Sequence, residues 1–169
     1  MYYQFTYPSP IGELQIVTAE NSVIGLWIKE QKYFGDKFVR AATYDPDREL
    51  HLLVTDWLDR YFAGKHPSPS EQPLEPIGTP FQQLIWMFLC EIPYGQTVCY
   101  GDLATRAANA LGKAHMASQA VGNAVGHNPI SIIIPCHRVI GKNGSLTGYA
   151  GGIAKKQWLL AHEQTSTQL

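Results

Sequence analysis

The sequence contains few cysteines, and their arrangement suggests neither a disulfide framework nor a zinc site. Cys90, Cys99 and Cys136 are the three cysteines in 169 residues, and an odd number cannot all pair within one chain. No Cys-x-x-Cys pair is present, and no histidine stands at zinc-ligand spacing from two cysteines. A chain of this length can bury a hydrophobic core without cross-links. We therefore expect free thiols, as in a reducing compartment, and no bound metal.

Long apolar stretches and a secretion signal are also missing. No run approaches the roughly 18 apolar residues needed to cross a bilayer, and residues 1–10 lack the basic and then apolar pattern of a signal peptide. Charged residues make up only 16% of the chain and hydrophobic residues 45%, which fits a globular protein. The prediction is a cytoplasmic protein that does not associate with membranes.

The few charges are distributed unevenly. Residues 1–91 carry 7 Lys and Arg against 12 Asp and Glu, a net charge of −5, whereas residues 92–169 carry 6 against 2, a net charge of +4. A basic C-terminal half can face nucleic-acid phosphates more easily than an acidic N-terminal half. Small charge asymmetries are also common on ordinary protein surfaces, so charge alone does not decide whether the partner is a nucleic acid.

The N-terminal part is predicted to form three short antiparallel strands. β-Branched and aromatic residues alternate or cluster over residues 2–7, 13–19 and 23–28, and turn-forming residues separate these stretches. A helix should follow, because apolar residues recur at helical spacing between Leu50 and Tyr61.

The predicted boundaries of this helix come from capping patterns. Asp45 would cap the helix with Pro46 in its first turn, and Gly64 would end it.

A proline-rich segment divides the chain. Residues 64–78 contain four prolines and predict an extended linker. We expect an α+β fold: a small three-stranded antiparallel sheet with a helix, joined to a mostly helical C-terminal domain that contains a helix-turn-helix. The expected parts are an N-terminal domain over 1–66, a linker over 67–78, a C-terminal domain over 79–164 and a tail over 165–169.

Three helices are predicted after the linker. Thr79 to Gln82 form a capping box with proline at the first helical position, and Pro93 should end this helix. Apolar residues then predict one helix starting at Tyr100 and a second over 117–125, with Leu111 and Gly112 between them. This arrangement predicts a helix-turn-helix, whose second helix can lie in a DNA groove. Two well-packed short helices without a DNA role would give the same pattern.

The apolar run 132–135 ends at Cys136. This pattern predicts that Cys136 lies at the end of a buried extended segment, where a cysteine can simply be inert packing. His137 and Arg138 follow directly, however, and such polar or cationic neighbours are what a thiol of reference pKa ~8.5 needs to react as a thiolate.

Five segments of the chain form one pattern, namely Thr79–Gln82, Asn128-Pro129, Pro135–Val139, Gly148–Gly152 and Lys156–Glu163. With these segments the chain resembles the O6-alkylguanine-DNA alkyltransferase family, also called methylated-DNA-protein-cysteine methyltransferases. The resemblance covers nearly the whole chain and is strongest from Gly78 to Glu163.

The resemblance implies four catalytic residues. Cys136 matches the acceptor thiol, and His137 with Glu163 matches a water-linked network that draws the proton from it. Tyr100 matches a tyrosine beside the target nucleotide that gives a proton to the leaving guanine. Tyr100 could otherwise be a core residue at a helix start, and Glu163 a solvated charge.

The resemblance also implies substrate- and DNA-binding residues. Asn128 matches a bridge between the recognition helix and the active-site segment, although Asn-Pro is also common turn chemistry. Tyr149 and Ala150 match the loop that walls the base pocket, and the Val139 carbonyl matches an acceptor for the exocyclic amine of guanine. Arg138 is expected on the same binding surface.

Gln119 departs from the family pattern, in which an arginine of the second helix fills the space of the flipped base. Glutamine can hydrogen-bond the orphaned base, but it is shorter and uncharged. We expect base flipping to persist with DNA affinity weaker by about 1 to 3 kcal/mol.

The resemblance implies a DNA repair protein that moves a methyl or alkyl group irreversibly from O6-alkylguanine to Cys136, once per molecule and without a cofactor. O4-alkylthymine is a further candidate substrate. The expected partner of this monomer is double-stranded DNA, bound through the minor groove without sequence preference. The alternatives are a DNA-binding damage sensor or regulator that does not transfer, and a cysteine hydrolase, for which no signature surrounds any cysteine.

Overall fold

The computed structural model describes residues 1–167 and divides the chain into two compact units. The first comprises residues 1–77 with 129–133, and the second comprises residues 78–128 with the chain from residue 134 onward. The predicted domain boundaries and linker stay predictions. Of the predicted C-terminal tail, residues 168 and 169 lie outside the described part of the chain.

The first unit is built on a four-stranded sheet in the order β3-β2-β1-β4. The three predicted strands are present as β1 (Tyr2–Ser9), β2 (Gly12–Thr18) and β3 (Val23–Ile28), and they pair antiparallel. A fourth strand, β4 (Ala42–Tyr44), pairs parallel with the start of β1. Three residues are too few to show an alternating pattern, so the sequence did not predict β4.

Side chains cover both faces of this sheet. Leu14 of β2 is fully buried, and Val17, three residues later, points to the opposite face. There Val17 packs with Trp27 of β3 and with Phe38 of a short helix, α1 (Asp36–Ala41). Burial on both faces explains why every residue of β3 is buried.

The helix that follows the sheet, α2 (Glu49–Phe62), begins later than predicted. Arg48 is its N-cap, so the predicted cap at Asp45 and first turn at Pro46 are wrong. Asp45 is instead tied to the sheet, because its backbone N–H donates to β1. Its carbonyl accepts a hydrogen bond from Nδ1 of His51 at 2.6 Å.

A histidine lies on the buried face of α2. His51 is fully buried and stacks on Phe5 with ring centroids 4.4 Å apart. Because Nδ1 donates to a carbonyl, Nε2 accepts from the Thr18 hydroxyl at 2.7 Å. Leu53, which the apolar spacing placed on this face, is 52% exposed.

The second unit starts with α3 (Pro80–Cys90), whose predicted capping box is confirmed. Thr79 accepts from the backbone N–H of Gln82, whose side chain accepts from the Thr79 N–H. Trp86 of α3 is buried, and its Nε1 donates to the carbonyl of Ala124 at 2.9 Å. This bond ties α3 to the second helix of the predicted helix-turn-helix.

The helix-turn-helix is formed by α4 (Tyr100–Ala110) and α5 (Ser118–Gly126), and this prediction is confirmed. The two helices pack on each other and on α3. The turn between them covers residues 111–117. Gly112 has φ +66°, a left-handed conformation that glycine adopts without steric cost.

The remaining elements of the second unit surround the cysteine-containing segment. Strands β5 (Val98–Cys99) and β6 (Val139–Ile140) pair in parallel, and a turn of 3-10 helix over Cys136–Arg138 precedes β6. The last helix is α6 (Ile153–Thr167). No helix among the described residues is long and apolar enough to cross a membrane.

The segment before Cys136 is buried as predicted, but it is not extended. Ile132 is fully buried with φ +72°, which is costly for a β-branched residue. The backbone of Leu26 holds the chain on both sides of Ile130, accepting from the Ser131 N–H and donating to the Pro129 carbonyl. The chain must therefore turn immediately afterwards, and the Cys136 N–H donates to the Ile134 carbonyl.

The capping box of α3 predicts a measurable stability contribution. Replacing Thr79→Ala removes the acceptor for the N–H of Gln82, and we expect the free energy of unfolding to fall by about 1 kcal/mol. Urea denaturation measures this change. Thr105→Ala is the matched control, because Thr105 is exposed within α4, where alanine is the better helix former. Equal stability of the Thr79→Ala protein and wild type would contradict the prediction.

Candidate active site

Cys136 opens the 3-10 turn and is only 6% exposed. Burial raises the pKa of its thiol, while a hydrogen bond from Asn128 and the positive charge of Lys156 act in the opposite direction. The Asn128 side chain also donates to the Ile134 carbonyl at 2.8 Å. Asn128 thus follows α5 and holds the backbone two residues before the thiol.

His137, the next residue, is fully buried and contacts Glu163 of α6. Its Nε2 lies 2.5 Å from a carboxylate oxygen of Glu163. Burial lowers the pKa of His137, and the bond to Glu163 offsets only part of this effect. The ring is therefore neutral at pH 7. Because a carboxylate can only accept, Nε2 carries the proton and Nδ1 is left with a lone pair.

Nδ1 of His137 is buried and has no hydrogen-bond partner among residues 1–167. A neutral imidazole nitrogen in this state can accept a proton from a thiol, directly or through one water. The local sequence makes His137 the neighbour of Cys136, and the bond to Glu163 determines which nitrogen is the acceptor.

Glu163 receives four donors although it is 1% exposed. Burial would raise the pKa of its carboxyl, but the bonds from His137 and Arg138 outweigh burial and hold the pKa well below its ordinary value. Arg138 donates from Nε at 2.8 Å and from Nη2 at 3.2 Å, and the backbone N–H of Gly95 donates at 3.1 Å. The carboxylate is therefore charged at neutral pH.

Arg138 lies in the interior and not on a surface. It is 5% exposed, and its third nitrogen donates to the Ile92 carbonyl at 2.7 Å. Its guanidinium also lies over the Tyr94 ring. These contacts tie Arg138 to the loop before β5 and to the carboxylate of Glu163. The structure therefore gives no support for the expected direct contact of Arg138 with DNA.

Tyr100 is the first residue of α4 and borders a large cavity. Its hydroxyl donates to the Thr147 carbonyl at 3.1 Å. Burial raises the pKa of the phenol, and the negative charge of a Cys136 thiolate raises it further. Gly148, at φ +72°, passes so close that a Cβ would lie 3.3 Å from the hydroxyl. The phenol is thus a protonated donor held near the thiol.

Lys156 of α6 is a functional candidate that the sequence did not reveal. It is 1% exposed, and its Nζ donates to the carbonyls of Val139 at 2.5 Å and Thr147 at 3.1 Å. Burial lowers its pKa, and the charge of Cys136 opposes that change. Lysines at 155 and 156 adjoin in the sequence, and the pattern does not say which one points inward.

The cavity beside Tyr100 measures about 930 Å³. Gln119 of α5 lines it, so the structure brings Gln119 and Tyr100 to one cavity. Tyr149 is buried at 8% exposure, and Ala150 is half-buried beside it in the loop before α6. The nine lining residues are all uncharged: Tyr100, Ala117, Ser118, Gln119, Ala120, Gly122, Asn123, Thr147 and Gly148.

Less positive charge faces solvent than the sequence count suggests. Of the six Lys and Arg residues after residue 91, Arg106 is paired with Glu91, Arg138 with Glu163, and Lys156 is buried. The other three are Lys113, Lys142 and Lys155.

Two domain families match the sequence and together cover most of it. Residues 1–76 match the ribonuclease-like domain of 6-O-methylguanine DNA methyltransferase, and residues 80–165 match the DNA binding domain of 6-O-methylguanine DNA methyltransferase.

Similar proteins extend over nearly the full length. The methylated-DNA–protein-cysteine methyltransferase of Shigella flexneri is 51% identical over 163 residues, covering 92% of this chain and 91% of that protein. The protein of the same name from Haemophilus influenzae is 41% identical over 165 residues, covering 97% and 87%.

Solved structures give the same result. The O6-methylguanine methyltransferase of Mycobacterium tuberculosis is 41% identical with a TM-score of 0.85, and 98% of this chain and 94% of that one are covered. The structure of Mycobacterium tuberculosis OGT in complex with DNA is 40% identical with a TM-score of 0.83, covering 98% and 93%. The resemblance seen in the sequence is thereby confirmed, and the chain belongs to the 6-O-methylguanine DNA methyltransferase family, the methylated-DNA–protein-cysteine methyltransferases.

Proposed function

We propose that this protein repairs DNA by moving the alkyl group of O6-alkylguanine onto the sulfur of Cys136. Alkyl transfer to a protein cysteine is the activity of the family to which the chain belongs. The observation that carries the proposal is the neutral, buried His137, whose Nε2 is held by Glu163 and whose Nδ1 is left as a base. Such a base beside a buried thiol is the usual way to activate a nucleophile.

The reaction requires two proton movements. Nδ1 of His137 takes the proton of the Cys136 thiol, and the thiolate then displaces guanine from the alkyl carbon. One S–C bond forms as the C–O6 bond breaks, and the electrons of that bond leave with guanine. Tyr100 stabilises the leaving base by donating its proton, because its raised pKa keeps the hydroxyl protonated. A thioether does not return to a thiol, so each molecule reacts once.

Lys156 and Glu163 act as positioning residues in this proposal. Lys156 holds the carbonyls of Val139 and Thr147 in place and adds a positive charge that favours the thiolate. Glu163 fixes the proton on Nε2 of His137. Arg138 keeps Glu163 charged. We propose this role for Arg138 in place of the expected contact with DNA.

The DNA-binding proposal concerns α5 and the cavity beside Tyr100. The reactive atom of the lesion is inside a duplex, so the nucleotide must rotate out, at a cost of a few kcal/mol that is smaller for a damaged base. The uncharged cavity accepts the flipped base, with Tyr149 and Ala150 in the neighbouring loop. Gln119 takes the space left in the duplex. Minor-groove binding without sequence preference, a monomeric state, the absence of a cofactor and a cytoplasmic location remain predictions.

Methyl transfer is tested by intact-mass measurement after incubation with a duplex that contains O6-methylguanine. We expect one added methyl group per molecule, mapped to Cys136 by peptide analysis. Cys136→Ala should gain none, and Cys90→Ala should react like wild type. An unmodified wild-type protein that still binds the duplex would favour the damage sensor without transfer.

The pH dependence of thiol alkylation tests the electrostatics at Cys136. The pKa of this thiol is raised, so the reactive thiolate gains population as the pH rises, and the rate should keep increasing above pH 7. Lys156→Gln removes the charge that favours the thiolate, so its profile should shift to higher pH and its rate at pH 7 should fall several-fold. Lys155→Gln is the control. Stopped-flow alkylation measures both, and identical profiles would refute the role of Lys156.

The role of Gln119 is tested by introducing the positive charge that an arginine carries at this position in the family. Gln119→Arg should bind duplex DNA more tightly by about 1 to 3 kcal/mol and steepen the salt dependence by about one unit of log–log slope. Fluorescence anisotropy at several salt concentrations measures both quantities. Gln83→Arg adds the same charge on α3 and should change neither by as much. Unchanged affinity of Gln119→Arg would show that glutamine at this position does not weaken DNA binding.

A further inference from the structure

The loop that leads from α3 to Tyr100 is attached to α6 at Gly95. The backbone N–H of Gly95 donates to the carboxylate of Glu163 at 3.1 Å. The carbonyl of Gly95 accepts a hydrogen bond from Nε2 of Gln164 at 2.6 Å. Two consecutive residues of α6 therefore hold one glycine of the loop, each from a different side.

Gly95 is the third residue of a tight turn over residues 93–96. A hydrogen bond of 3.1 Å joins the first and last residues of this turn. Gly95 has φ +78°, as the third position of a type II turn requires. In a type I turn the peptide before this position is reversed, so its N–H would point away from Glu163. Because Gln164 holds the carbonyl on the other side of Gly95, the two bonds together restrain the φ that distinguishes these turns.

The position of this turn affects Tyr100. The turn continues into β5, and Tyr100 directly follows β5. β5 pairs with β6 over only two residue pairs, and so short a ladder is weak by itself. The bonds to Gly95 are therefore needed to keep the phenol of Tyr100 in place near Cys136.

Gln164 differs from the other side chains that hold the turn because it is exposed. Glu163 and Arg138, in contrast, are 1% and 5% exposed. Gln164 is also not one of the residues that line the cavity beside Tyr100. A substitution at Gln164 should therefore change the hold on the turn without opening the core or altering the cavity wall.

We propose that Gln164 is a positioning residue for alkyl transfer. By binding the carbonyl of Gly95, it keeps the turn, and with it the hydroxyl of Tyr100, in the place from which the leaving guanine receives its proton. Gln164 itself exchanges no atom with the substrate. This inference rests on the proposed function, because it assumes that Tyr100 donates its proton to guanine.

Single-turnover methyl transfer from a duplex that contains O6-methylguanine tests the proposal. Gln164→Leu keeps the approximate size of the side chain but removes its donor, so the transfer rate should fall about fivefold, as for one lost hydrogen bond. Gln164→Lys keeps a donor and should restore most of the rate. Thr165→Ala, at the next exposed position of α6, is the matched control and should transfer like wild type.

Two further measurements show whether Gln164 acts through Tyr100. In Gln164→Leu the affinity for the duplex should stay unchanged, and so should the rate at which iodoacetamide alkylates Cys136, since neither needs a proton from Tyr100. Amide hydrogen exchange of Gly95 should be about fivefold faster in Gln164→Leu, because the turn opens more often. Exchange in Gln164→Lys should match wild type.

The outcomes separate this proposal from the proposed function. A Gln164→Leu protein that transfers methyl groups as fast as wild type, or whose Gly95 amide exchanges as slowly, would overturn the role of Gln164. Equal losses in methyl transfer and in iodoacetamide alkylation would also overturn it, because the change would then act on the thiol and not on Tyr100. A wild-type protein that binds the duplex but never gains a methyl group would instead overturn the proposed function itself.

Discussion

The candidate active site depends on one buried carboxylate, that of Glu163. A charge removed from water is stable only when it is fully paired, and Glu163 accepts from His137, from two nitrogens of Arg138 and from the Gly95 backbone. The same four bonds join α6, the 3-10 turn and the loop before β5. The carboxylate therefore joins three elements of the second unit and determines which nitrogen of His137 carries the proton.

Opposing effects act on the pKa of the Cys136 thiol. Burial disfavours the thiolate of Cys136, while Asn128 and Lys156 favour it. The outcome is a sulfur that stays protonated in the resting protein and is deprotonated when His137 accepts the proton. This arrangement suits a group that reacts once, because a permanently ionised thiol would react with other electrophiles and be consumed.

The sequence predicted those parts of the structure that local patterns determine. The capping box at Thr79, the helix pair α4 and α5, and the three strands of the N-terminal sheet follow from side-chain spacing. Asp45 misled the prediction because its backbone N–H bonds to a strand that is distant in the sequence, and a helical pattern does not contain this contact. The prediction of an extended segment before Cys136 was wrong because Ile132 has a positive φ. Tertiary packing imposes this conformation against the preference of a β-branched residue.

The sequence indicated which residues form the candidate site, but it did not show where their side chains point. Cys136, His137, Tyr100 and Glu163 were named from family motifs, and their roles stay predictions. The resemblance implied that Arg138 lies on the DNA-binding surface, whereas a buried carboxylate 25 residues away in the sequence holds it inside. The inward position of Lys156 likewise depends on how α6 packs.

Burial keeps the imidazole of His137 neutral, and Glu163 holds its proton on Nε2, which leaves the lone pair on Nδ1. The most direct measurement is 15N NMR of the imidazole nitrogens in histidine-labelled protein at pH 7, with His137→Gln to assign the resonances. We expect one protonated nitrogen, Nε2, and one unprotonated nitrogen, Nδ1. An imidazolium with both nitrogens protonated, or a proton on Nδ1, would contradict it.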